Sequence, residues 1–300
     1  MTIRSRLASE PAVRTGSPGV AIPKLDIEAL KTEPRARIEE LATLWAQAAA
    51  LGDDESICRV LTRYLMYVDT RDLSLTPHML MNGFWETWIT IAVARHLRPG
   101  MTAVDVGTNN GYFTLLMADC VGAEGRVIGF EPNPRLAELL AKTLAVNGFS
   151  SRTALHRMAV LDRVVEGLTL RIPGDNMGDG AIGAQGEHIA NPSQTFRCDG
   201  TDLDSALAEC DRVDFVKVDA EGVEPEVWAG MRETLARNPE IVVGLEFSPG
   251  RYADESALVD RFAADGFALA EVGFDGTIQP LEKADLLARG DWTFLWLRRP

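Results

Sequence analysis

Residues Thr102–Leu116 read Thr-Ala-Val-Asp-Val-Gly-Thr-Asn-Asn-Gly-Tyr-Phe-Thr-Leu-Leu, a short buried strand, a glycine-bearing turn and the first turn of a helix. Val104 and Val106 are β-branched and apolar, as an internal parallel strand requires. Gly107 falls where the strand must stop and reverse, and Gly111 where the new helix must approach the strand closely. Between them Thr108, Asn109 and Asn110 supply capping side chains and free backbone N–H groups at the helix start. Such a turn seats a small molecule carrying a carboxylate, a phosphate or hydroxyl groups.

From this turn to the end, strand and helix patterns alternate, the signature of a parallel sheet covered by helices. Strands are expected at Thr102–Gly107, Arg126–Glu131, Thr153–Val160, Val213–Asp219, Ile241–Phe247, Leu269–Val272 and Trp292–Leu297. Helices are expected near Tyr112–Cys120, Pro134–Asn147, Leu203–Cys210, Pro225–Arg237 and Glu255–Ala264, with Pro134 and Pro225 near helix starts where a missing N–H does no harm. The irregular stretch Arg171–Gln194, rich in Gly, Asp and Asn, reads as a binding loop or lid.

Upstream, residues 1–25 hold Pro11, Gly16, Pro18, Gly19 and Pro23 with little apolar periodicity and read as a flexible leader. Residues 26–98 read as a helical N-terminal cap. Ile38, Leu41, Leu44, Trp45 and Ala48 recur at helical spacing. Asp53 or Asp54 can cap a second helix carrying Ile57, Val60, Leu61, Tyr64 and Leu65. After the loop Leu73–Gly83 a third helix runs from Trp85 to Leu97. Residues 99–300 then form the ligand-binding domain.

A net charge of −14 opposes a nucleic-acid groove or an anionic membrane surface as partner. No stretch of about 18 apolar residues occurs, so no spanning helix is expected. Arg4, Arg6 and Arg14 are followed by no apolar core of a secretory signal. Cys58, Cys120, Cys198 and Cys210 form no Cys-x-x-Cys pair and read as reduced thiols of a cytoplasmic protein.

In an open parallel sheet, ligands bind at the carboxyl ends of the strands where strand order reverses. Those ends carry Asp105, Gly107, Glu131, Asp219, Glu221 and Glu246. Glu131 lies 20 residues after Gly111, the spacing at which a carboxylate accepts both hydroxyls of a ribose. A dinucleotide site would use the same acid, but it needs three glycines against its pyrophosphate. Gly107-Thr-Asn-Asn-Gly111 has two, with Asp105 just before them, poorly placed beside a pyrophosphate and well suited to an ammonium group. A ligand with a ribose at one end and an amino acid at the other fits both features: S-adenosyl-L-methionine.

Asp105-Val-Gly-Thr-Asn-Asn-Gly-Tyr-Phe-Thr, Phe130-Glu-Pro-Asn-Pro134 and Asp214-Phe-Val-Lys-Val-Asp-Ala-Glu-Gly222, with Gly83-Phe-Trp-Glu86 before them, together resemble the FkbM-type S-adenosylmethionine-dependent methyltransferases. The resemblance covers roughly Met81 to Phe247; Thr108 stands where the family usually has alanine. It implies a class I methyltransferase (Rossmann-like) α/β fold, a seven-stranded mostly parallel sheet whose last strand, here Trp292–Leu297, is antiparallel and inserted between the fifth and sixth. It also implies methylation of a hydroxyl on a sugar or secondary metabolite. The candidate cofactor-binding residues are Glu86, Asp105, Gly107, Thr108, Asn109, Gly111, Tyr112, Phe113, Glu131, Asn133, Met158, Ala159 and Asp219. Asp219, Glu221 and Glu246 are the candidate catalytic carboxylates; Glu221 can instead cap the helix at Pro225.

Asp219 and Glu246 offer oxygen ligands to a divalent cation, a minority reading because no tight ligand cluster accompanies them. His78 and His188 lie in loops able to cover the site, and Lys217 is set aside as non-catalytic. The expected partner is a small hydroxylated acceptor, with no nucleic acid or membrane, and the N-terminal helices are candidates for a homodimer contact. Two other functions compete: a nicotinamide-dependent oxidoreductase and a non-catalytic cofactor-binding scaffold.

Overall fold

A computed structural model describes residues 24–173, 176–182, 189 and 192–300. Three short antiparallel strands, β1 (Ala48–Gly52), β2 (Glu55–Val60) and β3 (Tyr64–Asp69), precede the main sheet. The main sheet holds β4 (Thr102–Val106), β5 (Arg126–Phe130), β6 (Thr153–His156), β10 (Phe215–Val218), β11 (Val242–Phe247), β12 (Ala270–Val272), β13 (Ile278–Pro280) and β14 (Thr293–Arg298). A small third sheet is made of β7 (Met158–Val160), β8 (Val165–Ile172) and β9 (Gln194–Thr201).

In the main sheet the strands lie in the order β13-β12-β14-β11-β10-β4-β5-β6. Those from β11 to β6 are parallel, and β14 runs antiparallel to both β11 and β12. This is the arrangement of a class I methyltransferase sheet, with the antiparallel strand in its expected place. It has eight strands and not seven. The addition, β13, is a three-residue exposed edge strand returning from a turn at Asp275-Gly276, too short and too polar for periodicity to reveal.

From β4 the chain steps outward through β5 and β6, then returns to the other side of β4 with β10 and β11. The strand order therefore reverses between β4 and β10, where a ligand crevice is expected. The register makes that crevice level: Val218 pairs with Val106 and Val106 with Phe130, so Asp219, Gly107 and Glu131 leave the three strand ends together.

The helices Tyr112–Cys120 and Glu255–Ala264 have the bounds expected from sequence. The run Pro225–Arg237 divides into Glu224–Ala229 and Arg232–Arg237, because Gly230 passes so close to the Leu161 carbonyl that a Cβ there would stand 2.1 Å from it. The run Thr153–Val160 also divides. Exposed Arg157 separates β6, in the main sheet, from β7, which pairs with β9. The irregular stretch Arg171–Gln194 is the connection of a β8–β9 hairpin, and Ala181 pairs back onto Arg171.

The cap differs from the helical reading. It has helices at Ile27–Thr32, Arg35–Trp45, Leu75–Met81 and Thr87–His96, but the expected second helix is the β2–β3 hairpin. The reason lies in its turns. Asp53 and Asp54, read as helix caps, adopt φ of 51° and 59° and close a two-residue turn between Gly52 and Glu55, and Leu61 and Thr62 adopt 46° and 63° at the start of the turn between Val60 and Tyr64. Along β2 burial alternates, with Ser56, Cys58 and Val60 inward, which is period two and not 3.6. Of the leader, residues 1–23 fall outside the described residues; Leu25 is buried and its N–H donates to Thr62 Oγ1.

Cap and sheet share one apolar cluster, running from Leu30 and Ile38 through Met66 and Ile91 to Leu116 and Phe215. Asn147, closing the helix Pro134–Val146, fastens the junction. Its side chain accepts from Leu65 N at 3.0 Å and donates to the carbonyls of Leu65 and Thr143 at 2.6 and 2.7 Å. The cysteines are free, and no described helix is long and apolar enough to cross a membrane. Replacing Asn147→Ala removes these bonds from a half-buried junction. It is expected to lower the free energy of unfolding by about 2 kcal/mol in urea denaturation, in a single transition because cap and sheet share that apolar cluster.

Candidate active site

Gly107 opens the turn with φ of +75°, and a Cβ on it would stand 1.8 Å from the Asp219 carbonyl oxygen. Only glycine lets β4 and β10 end this close together. Gly111 does a different task, since a Cβ there would press on Leu140 in the neighbouring helix. Between them Asn109 is left-handed, φ 50°, which turns its N–H toward Glu131 Oε2 at 2.7 Å. Glu131 also accepts from Asn133 N at 2.9 Å, while the Asn133 side chain caps the following helix. The turn and the carboxylate are thus held as one unit. Burial pushes the Glu131 carboxyl up to about 7 against these two N–H donors.

The cleft above this turn is lined by Gly107, Asn109, Glu131, Met158, Ala159, Asp219 and Glu221, all of them sequence candidates, together with Phe130 and Val160. Gly178, Gly180 and Ile182, from the β8–β9 connection, lie across it and narrow it to about 70 Å³. Arg251 ties that segment to the site, donating to Asp179 at 3.0 Å and to the Glu221 carboxylate. Glu221 therefore faces a guanidinium and does not cap the next helix. That helix has no side-chain cap, and Glu224, its first residue, accepts from the backbone N–H groups of Ala220 and Gly222 in the loop before it. Burial and the Asp219 charge push the Glu221 carboxyl up, and Arg251 opposes them.

Other candidates lie beneath the cleft. Thr108, Tyr112 and Phe113 are buried, Tyr112 with its hydroxyl 3.0 Å from Thr90 Oγ1. Asp105 is fully buried and accepts from Thr114 Oγ1 at 2.6 Å. Beside it stands Lys217, which sequence reasoning set aside. Its ammonium is 3.0 Å from Asp219 Oδ2, 4.0 Å from Asp105 Oδ1 and 5.1 Å from the centre of the Phe113 ring. Burial disfavours its charge, but the two carboxylates outweigh burial and hold it protonated. The available signal was its strand: a central parallel strand is covered on both faces, so a lysine within it reaches solvent on neither.

Glu86 and Glu246 occupy a second cavity, of about 360 Å³, together with His78, Phe84, Trp85, Trp88 and Trp292. Glu246 accepts from Ser248 Oγ at 2.8 Å. Burial, then the charge of Asp219, pushes each of these two carboxyls up to about 8. Asp219 thus acts on both cavities. His188 lies outside the described residues, and no group of three or more His, Cys, Asp or Glu side chains among the described residues is arranged to hold a metal ion.

Comparison with known proteins adds the following. The family model described as the methyltransferase FkbM domain matches residues 105–272. Two protein-L-isoaspartate O-methyltransferases of Arabidopsis thaliana are 43% identical over 56 residues and 48% identical over 48 residues, 19% and 16% of this chain. The matches span only 24% and 16% of those relatives' lengths. Among solved structures, a methyltransferase FkbM from Methylobacillus flagellatus KT aligns with TM-score 0.41 and 15% identity, covering 71% of this chain and 54% of that one. The C-terminal domain of precorrin-6Y C5,15-methyltransferase from Rhodobacter capsulatus aligns with TM-score 0.39 and 15% identity, covering 72% and 88%.

Two outcomes follow from the buried charges. Lys217→Met strands two carboxylates and is expected to destabilise the fold by about 3–5 kcal/mol in urea denaturation. Glu86 and Glu246 bind protons more tightly folded than unfolded, so between the usual 4.5 and about 8 the folded chain carries more protons. Stability then falls as pH rises through that window and is greatest below it. Thermal melts of the ligand-free protein are expected to show this decline, and Glu246→Gln to flatten it and raise the midpoint at pH 8.

Proposed function

The chain belongs to the FkbM methyltransferase family, a class of S-adenosylmethionine-dependent enzymes, and from that membership we propose that it methylates a hydroxyl group on a sugar or another small hydroxylated metabolite. The observation that carries the reading is the common level of Gly107, Glu131 and Asp219 at the reversal of strand order, a carboxylate on either side of a glycine turn.

The residues present fit S-adenosyl-L-methionine. Glu131 is placed to accept the ribose hydroxyls, and Phe130, Met158 and Ala159 offer an apolar wall to the adenine. Around the turn the Thr108 hydroxyl, both polar atoms of the Asn110 side chain and one oxygen of Asp105 are buried without a hydrogen-bond partner among the described residues, as a site awaiting polar ligand atoms requires. When bound, the cofactor supplies an electrophilic methyl group on a sulfonium. This chain's own work is to hold the acceptor oxygen in line and to take its proton. Asp219, fixed by Lys217, is the group placed to orient the acceptor hydroxyl. Burial and the Asp219 charge push the carboxyl of Glu246, on the adjacent strand, up to about 8. The oxygen-directed activity named for the short-segment relatives supports methylation at oxygen, and the acidic surface supports a small-molecule acceptor over nucleic acid.

Calorimetry tests the cofactor: S-adenosyl-L-methionine is expected to bind and NAD not to, and the reverse would return the chain to the oxidoreductases. Glu131→Ala is expected to weaken that binding by about 1–3 kcal/mol through its lost charge-assisted hydrogen bonds. Asp219→Asn is expected to lower methyl transfer at least about 100-fold; wild-type turnover would remove Asp219 from the chemistry.

A further inference from the structure

The second cavity has a chemistry that the cofactor does not explain. It lies at the end of β11, beside the strand that bears Asp219, and its walls are indoles. Trp88 and Trp292 stand with ring centres 6.1 Å apart at 32°, and Trp292 is 44% exposed, so the cavity opens to solvent along its face. Glu86 and Glu246 share this space with the rings. A sugar ring or an alkyl group alone would be served by the indoles and a few hydroxyls. Two half-buried carboxylates beside them add a cost that neutral ligands do not relieve.

The local charge balance points the same way. Asp105, Asp219, Glu86 and Glu246 face one ammonium, that of Lys217, which is already engaged by Asp105 and Asp219. The His78 ring lies against Trp85 on the same wall, tilted by 59° with ring centres 5.1 Å apart. The Arg35 guanidinium already lies 4.9 Å from the centre of the Trp88 ring, so a cation entering this cavity would meet the carboxylates and the rings of Trp85 and Trp292, the pairing that proteins use to hold ammonium groups. A neutral ligand would leave the carboxylates protonated, as burial and Asp219 dispose them to be.

We propose that this cavity binds the methyl acceptor and that the acceptor carries a protonated amine beside its hydroxyl groups, an amino sugar being the simplest member of that class. The ammonium sits against Glu246 and the indole faces, and the sugar hydroxyls extend toward Asp219. The proposal rests on the methyltransferase reading above and narrows its substrate.

The test uses the full chain at pH 7 with two probes of one shape, D-glucosamine and D-glucose, titrated by calorimetry and by tryptophan fluorescence in the presence of S-adenosyl-L-homocysteine. Binding of the homocysteine compound is measured first; its failure would overturn the methyltransferase reading and this proposal with it. Given that binding, D-glucosamine is expected to bind at least about tenfold more tightly than D-glucose. Glu246→Gln is expected to erase that preference. Trp292→Leu, on the exposed rim, is expected to weaken D-glucosamine several-fold and keeps the test open if the Glu246 variant fails to fold. Equal affinities for the two sugars, or no binding of D-glucosamine to a protein that binds the homocysteine compound, would overturn the amine assignment and leave the methyltransferase reading standing.

Discussion

A single buried ammonium orders the centre of this molecule. Lys217 pairs across the sheet with Asp105, so their side chains leave neighbouring strands on one face, and Asp219 two residues on leaves on that face too. An unpaired lysine at this depth would lose its proton, and unpaired carboxylates would gain them. With both carboxylates beside it the ammonium keeps its proton, while burial pushes the Asp105 carboxyl up against the pull of Lys217, and the arrangement pins the ends of β4 and β10 against each other. Gly107 makes the approach possible by carrying no Cβ between them. The level rim on which Glu131 and Asp219 stand follows from these two constraints.

Much of this was legible in the sequence. The glycine turn, the acid at the end of the next strand and the order of strands and helices all depend on local rules: β-branched runs, capping side chains and spacing. Such rules act over a few residues and survive in any context that permits the fold. The helix Glu255–Ala264 has the bounds expected from sequence because Asp254 caps it, while Tyr112–Cys120 has them with Gly111 at its start and none of the side chains of Thr108, Asn109 or Asn110 as a cap.

What was missed depends on partners distant in the chain. Asp53 and Asp54 satisfy the rules for a helix cap and for a left-handed hairpin turn equally well. The choice falls to β3, whose backbone N–H groups find Thr143 and Asn147 some 80 residues away. Lys217 looks ordinary until the strands on either side of it are known. The β8–β9 hairpin has its pairing residues separated by a long connection, so no short-range turn signal marks it.

The backbone itself marks the site. Seven described residues other than glycine adopt positive φ: Asp53, Asp54, Leu61 and Thr62 close the cap's hairpins, and the other three are Glu86, Asn109 and Glu221. Each of these three lines one of the two cavities. A left-handed residue bearing a side chain is strained by about 1–3 kcal/mol and persists where surrounding structure compels it. Here the compulsion is visible: Asn109 is drawn to Glu131, Glu221 to Arg251, and Glu86 precedes a helix whose first turn buries Thr87, Ile89 and Thr90. The strain aims an N–H at Glu131 in one case and sets a carboxylate at a cavity wall in the others. The charge of Asp219 reaches carboxyls at both cavities, Glu221 at one and Glu86 and Glu246 at the other.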